Sequence, residues 1–61
     1  MIKRYIILKQ NIQLGEADLY SEIYKIMGST KQYFHATIKY KINKGVFKYR
    51  NTDYEIKDKL N

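Results

Sequence analysis

The stretch Tyr20–Lys39 reads YSEIYKIMGSTKQYFHATIK, and the two helical periods in it decide the fold. Leu19, Ile23 and Met27 recur four apart, the spacing of a single helix face, and Tyr20, Tyr24 and Ile26 widen that face. The spacing predicts a helix over 16–27. Glu16 and Asp18 fall in its first turn, where carboxylates meet the positive end of the macrodipole, and Lys25 falls near the other end. Gly28 stands where a left-handed residue closes a helix. Ser29-Thr30-Lys31-Gln32 fits a capping box, with Ser29 as N-cap and Gln32 reaching back. A second helix is expected from Thr30 to about Ile42, buried along Phe34, Ile38 and Ile42, with Asn43-Lys44-Gly45 ending it.

Beyond that helix the chain predicts a β-hairpin. With Asn51-Thr52 as the turn, Arg50 faces Asp53, Tyr49 faces Tyr54, Lys48 faces Glu55 and Phe47 faces Ile56. One face is then aromatic and apolar, and the other carries two opposite-charge pairs. Each such pair stabilises a hairpin by about 0.2–1 kcal/mol. Ahead of the first helix, residues 2–10 are rich in Ile and Tyr, which suits a strand. The expected order is strand, helix, tight turn, helix, hairpin. The fold class is α+β, with the first strand able to join the hairpin in a small sheet. The predicted core is Ile6, Leu8, Leu19, Ile23, Met27, Phe34, Ile38, Ile42, Phe47 and Ile56.

Sixty-one residues make one domain, and a domain this short buries only about 60% of its unfolded surface. Without Cys there is neither a disulfide framework nor a thiolate metal site, and a single His cannot supply an all-histidine one. No cofactor is expected. The net charge is +6. The chain is also rich in Lys, Ile, Tyr and Asn, so AT-rich codons explain part of the basicity, and placement carries more information than totals. Between Ile23 and Thr52 stand Lys25, Lys31, Lys39, Lys41, Lys44, Lys48 and Arg50, with no acid among them. That asymmetry predicts an anionic partner.

The apolar run near the N-terminus spans only Tyr5–Leu8. A secretory signal needs roughly 7–15 apolar residues and a membrane span about 20, so a cytoplasmic chain with no membrane partner is expected. There is no phosphate loop, dinucleotide fingerprint, HExxH or nucleophile elbow, and the chain reads as a non-enzyme.

Two helices joined by about three residues, the second basic and followed by a hairpin, have the layout of a helix-turn-helix with a wing. The segment Tyr20–Lys39 resembles the winged or minimal helix-turn-helix of small phage, plasmid and nuclease-associated DNA-binding modules. Met27, Gly28 and Phe34 match that pattern's turn Gly and flanking apolar positions, and Ile23 matches the apolar position in the first helix. Tyr24 stands where the pattern has a small residue, Ser29 where it has an apolar one, and Thr37 takes its last apolar place.

The resemblance implies a regulator of a mobile element, viral or plasmid-borne, that reads double-stranded DNA with its second helix, as a homodimer on a two-fold site. Gln32 and His35 are the types that bond base edges, Lys31 and Lys39 suit phosphates or guanine, and Lys48 and Arg50 would reach the adjacent backbone as a wing. Each residue also has a plainer role. Helix-exterior lysines commonly form a solvated face, and Lys48 and Arg50 have Glu55 and Asp53 to pair with. Two other functions fit the same composition. One is a small inhibitor or adaptor that covers an acidic patch on a host protein, with Tyr side chains as anchors. The other is RNA binding, with Tyr33, Tyr40 or Tyr49 stacked on unpaired bases.

Overall fold

The computed structural model describes residues 3–60. In order they form β1 (Tyr5–Lys9), β2 (Ile12–Ala17), α1 (Tyr20–Met27), α2 (Lys31–Ala36), a 3₁₀ helix (Ile38–Lys41), β3 (Phe47–Tyr49) and β4 (Thr52–Asp58). The four strands make one antiparallel sheet in the order β2-β1-β4-β3. The fold is therefore α+β, and the first strand does join the C-terminal hairpin, through β4. The strand predicted from Ile2 begins at Tyr5, and Ile2 lies outside the described residues.

An additional strand, β2, occupies part of the region expected to be helical. Gln10 and Asn11 both take left-handed φ (52° and 66°) and turn the chain back on β1. Gly15 then lets the strand pass under α1: a Cβ built there would lie 3.2 Å from Ile26 Cδ1. A register shift between Ile7 and Leu8 marks a bulge beside it. The helix accordingly starts at Tyr20, and Glu16 lies in β2 rather than in a first turn.

The expected helix-closing role of Gly28 is present. It has φ 75°, its N–H bonds Lys25 O (3.2 Å), and the Ser29 N–H bonds Tyr24 O (2.8 Å). These are the paired bonds of a Schellman ending. At the other end of α1, Glu22 accepts from the backbone N–H of Asp18 (2.8 Å) and Leu19 (3.1 Å). Those bonds hold its carboxyl below the ordinary value.

The second helix differs from expectation at both ends. Its N-cap is Thr30, whose Oγ1 accepts from the Tyr33 N–H (3.1 Å), and the Ser29 hydroxyl instead donates to Thr30 O. The α-helix stops at Ala36 because Thr37 turns to φ −135°, and Ile38–Lys41 continue as 3₁₀. Thr37-Ile38 is a β-branched pair, a weak place for a helix to hold its period.

The C-terminal hairpin turns at Arg50-Asn51, one residue earlier than predicted. Its pairs are Phe47 with Tyr54, Lys48 with Asp53 and Tyr49 with Thr52. Both turn residues have positive φ (54° and 61°), as a two-residue type I′ loop demands. The Asn51-Thr52 turn would have forced β-branched Thr into that region. The slip is two residues in register, so every side chain keeps its face. Asn51→Gly should stabilise the turn by about 0.5–1 kcal/mol by removing left-handed strain. A rise of a few degrees in melting temperature is the check.

The core lies between the sheet and the helices. Tyr5, Ile7, Ala17, Tyr49, Tyr54 and Ile56 come from the strands, and Ile23, Met27, Phe34 and Ile38 from the helical layer. Strand β1 is inverted relative to expectation, with Tyr5 and Ile7 facing the helices in place of Ile6 and Leu8. Four consecutive apolar residues give a two-residue period no means of choosing a face. Ile42 and Phe47 are only half-buried, and Leu19 is exposed.

Candidate nucleic-acid interface

Most acids are held in ion pairs. Glu16 pairs with Lys59 (3.2 Å), Asp58 with Arg4 (2.9 Å) and Asp53 with Lys48 (3.0 Å), while Lys3 lies 3.9 Å from both Asp18 and Glu22. Five of the six acids in the chain are thus engaged. With one exception their basic partners come from the chain's two ends. Of the seven bases between Ile23 and Thr52, Lys48 alone enters an ion pair among the described residues. Lys25, Lys31, Lys39, Lys41, Lys44 and Arg50 have no carboxylate within pairing distance there.

Lys25 stands on α1, Lys31 on α2, Lys39 and Lys41 on the 3₁₀ helix, Lys44 in the loop after it and Arg50 at the β3–β4 turn. The start of α2 lies beside the β3–β4 turn, because Thr30, Tyr33, Tyr49 and Arg50 line one groove of about 350 Å³. The Tyr49 hydroxyl also donates to Gly28 O across a long 3.5 Å. The chain after the 3₁₀ helix reaches the opposite end of β4, where the Asn43 N–H bonds Ile56 O (2.9 Å). Arg50 and Lys31 therefore belong to the hairpin-tip end, and Lys44 to the other. Lys39 stands on the 3₁₀ helix, its ammonium 5.2 Å from the Tyr40 ring centre.

The residues singled out from sequence are distributed unequally on this frame. Lys31 and Gln32 are exposed on the first turn of α2. His35 is half-buried, edge-on to Phe34 (5.5 Å) and Tyr20 (6.0 Å), so its ring packs against the aromatic cluster. Arg50 is at the hairpin tip and does not pair with Asp53; its guanidinium covers the Tyr49 ring at 5.1 Å. Lys48 projects from the sheet face away from the helices and pairs with Asp53 rather than Glu55.

The groove itself was not foreseen. Its signal in the sequence is faint: Tyr33 sits one place off the buried Phe34 line, and Tyr49 directly precedes Arg50. Tyr33 and Tyr49 are in ring contact at 5.4 Å, and Tyr33 stays 42% exposed, which leaves part of its ring open to a ligand. No acid lines this groove.

Among the described residues no group of three or more His, Asp and Glu side chains is arranged to hold a metal, and no helix is long and apolar enough to cross a membrane. No protein-family model matches the chain, and no curated protein or solved structure is significantly similar to it.

Proposed function

We propose that this protein is a small, non-enzymatic double-stranded DNA binder that docks through the α2 side of the domain. One observation carries the reading: six cations, Lys25, Lys31, Lys39, Lys41, Lys44 and Arg50, form no ion pair among the described residues, while five of the six acids are engaged with other bases. A run of uncompensated cations is the electrostatic footprint of a phosphate-backbone contact.

The shape refines which residues do what. At six residues α2 is about 9 Å long, so it offers a groove little more than its first turn. Lys31 and Gln32 are there and exposed, and Gln32 is the candidate for bonding a base edge. Arg50 supplies the hairpin-tip contact of a minimal wing. Lys48 and His35 fall outside this reading, since one is paired on the opposite sheet face and the other is packed against rings. The longest dimension is 31 Å, so two copies fit on half-sites one DNA turn (about 34–36 Å) apart. A regulatory role for a mobile element is the biological setting that this reading favours.

The test is fluorescence anisotropy on a random duplex. With about four to six phosphate contacts, affinity should fall roughly 10²–10³-fold between about 50 and 200 mM salt. Lys31→Ala should weaken every duplex alike and reduce the salt slope by about one, while Gln32→Ala should relax preference at one base position. Absence of binding at the lower salt would overturn the proposal. Capture of an acidic protein that survives nuclease treatment would then identify the other kind of partner.

A further inference from the structure

The chain has seven tyrosines, and the fold divides them by role. Tyr5, Tyr49 and Tyr54 are buried, Tyr24 is half-buried, and Tyr20 packs its ring on Tyr5, Phe34 and His35. Tyr33 and Tyr40 remain, both exposed, as Tyr20 is on its outer edge. Tyr40 is covered on one side by Lys39. Tyr33 is different because it opens onto a groove.

That groove has a layered construction. Tyr49 is buried and is contacted by the Tyr33 ring at 5.4 Å and by the Arg50 guanidinium at 5.1 Å. Thr30 completes the lining, its hydroxyl oxygen accepting from the Tyr33 N–H. A planar aromatic group and a planar cation thus line the same open groove of about 350 Å³, which is larger than one nucleobase. Both walls favour a flat, electron-rich ring, one through π stacking and the other through cation–π attraction. Lys31 follows Thr30 directly and can meet the phosphate attached to such a ring.

We propose that the Tyr33–Tyr49–Arg50 groove receives one unpaired nucleobase of a bound strand, so that the protein prefers duplex ends or junctions carrying single-stranded bases. This rests on the nucleic-acid reading above and adds a ligand chemistry to it: the basic side holds duplex phosphates, and the groove stacks the first base beyond them. Stacking of one base on an aromatic platform is worth roughly 5- to 150-fold in affinity.

The experiment compares three labelled probes by anisotropy at fixed salt: a blunt duplex, the same duplex with a four-nucleotide single-stranded tail, and that duplex with a four-unit abasic tail. The tailed probe should bind at least about fivefold tighter than the blunt one, and the abasic tail should lose most of that gain. Tyr33→Leu should bring the tailed probe to the blunt level while leaving blunt affinity unchanged, and Tyr33→Phe should keep the preference. Unchanged blunt binding also shows that the leucine variant is folded.

Equal affinity for blunt and tailed probes would overturn the groove proposal and leave duplex binding standing. Full gain from the abasic tail would overturn it too, since phosphates alone would explain the preference. Displacement of the tailed probe by an equal concentration of adenosine monophosphate would overturn the strand version in favour of a free nucleotide. Failure of all three probes to bind would remove the duplex reading and this one together.

Discussion

Phe34→Ala is expected to remove about half or more of the protein's stability at 25 °C. The Phe34 side chain is fully buried, with ring contacts to Tyr20 (5.1 Å), Tyr24 (5.8 Å) and His35 (5.5 Å). Truncating a buried Phe to Ala costs about 3–5 kcal/mol, because transfer energy is lost and a cavity is left. A chain of 61 residues at about 0.05–0.15 kcal/mol per residue has only about 3–9 kcal/mol in total.

The location makes the loss worse than its size. With eight and six residues, α1 and α2 are below the length at which helices persist alone, so they exist because they pack. Phe34 is the side chain of α2 that reaches two tyrosines of α1. Without it, α2 has the partly exposed Tyr33, and Ile38 of the 3₁₀ helix that follows, to hold it to the domain. Far-ultraviolet circular dichroism and urea titration give the answer. Phe34→Leu, which retains most of the volume, should remain folded with a loss below about 2 kcal/mol. A folded Phe34→Ala losing under about 1 kcal/mol would show that the ring is not the joint between the helices.

How far the sequence disclosed this arrangement varies along the chain, for physical reasons. The α1–Gly28–α2 passage was legible because three separate signals agree there: the four-residue period, a glycine at the required left-handed position, and a hydroxyl that caps the next helix. The cap moved by one residue because Ser29 and Thr30 can both serve, and composition alone does not choose between adjacent hydroxyls. The hairpin face was legible and its register was not. A two-residue slip conserves the face, so hydrophobic alternation is blind to it, and the turn chemistry of Arg50-Asn51 decided.

The β2 strand was hidden by Gly15 and by the acids that follow it, which imitate a helix start. Asn11, with its tolerance for positive φ, was the available clue to a hairpin. At the candidate interface, Lys31 and Gln32 were legible as the exposed start of a helix. The inward turn of His35 and the partnership of Lys48 with Asp53 depend on tertiary contacts that no local pattern records.

Disrupting the clasp between Arg4 and Asp58 should give unequal losses from its two sides. Asp58 is the one buried charged side chain among the described residues, with its carboxylate side chain 4% exposed. It accepts from Arg4 Nε (3.0 Å) and Nη2 (2.9 Å) and from the Leu60 N–H (3.0 Å). Its own backbone N–H bonds Asn43 Oδ1 (2.8 Å). The clasp therefore ties the entrance of β1, the loop after the 3₁₀ helix and the end of β4 together across the chain's two ends.

Asp58→Ala removes the carboxylate and leaves a guanidinium that is 39% exposed and able to turn to water. We expect a loss of about 2 kcal/mol, below the 3–5 kcal/mol of a fully buried pair. Arg4→Ala does the reverse: it takes two charge-assisted bonds from a carboxylate that stays inside the fold, which is the costlier loss. It should therefore be the more destabilised variant, and Arg4→Ala combined with Asp58→Ala should be more stable than Arg4→Ala alone, because the second change removes the buried charge that lost those bonds. Urea unfolding of the four proteins measures this directly. If the two substitutions prove additive, with Arg4→Ala no worse than Asp58→Ala, the pair acts as two separate surface groups. In that case the ends of the chain are joined by the β1–β4 ladder alone.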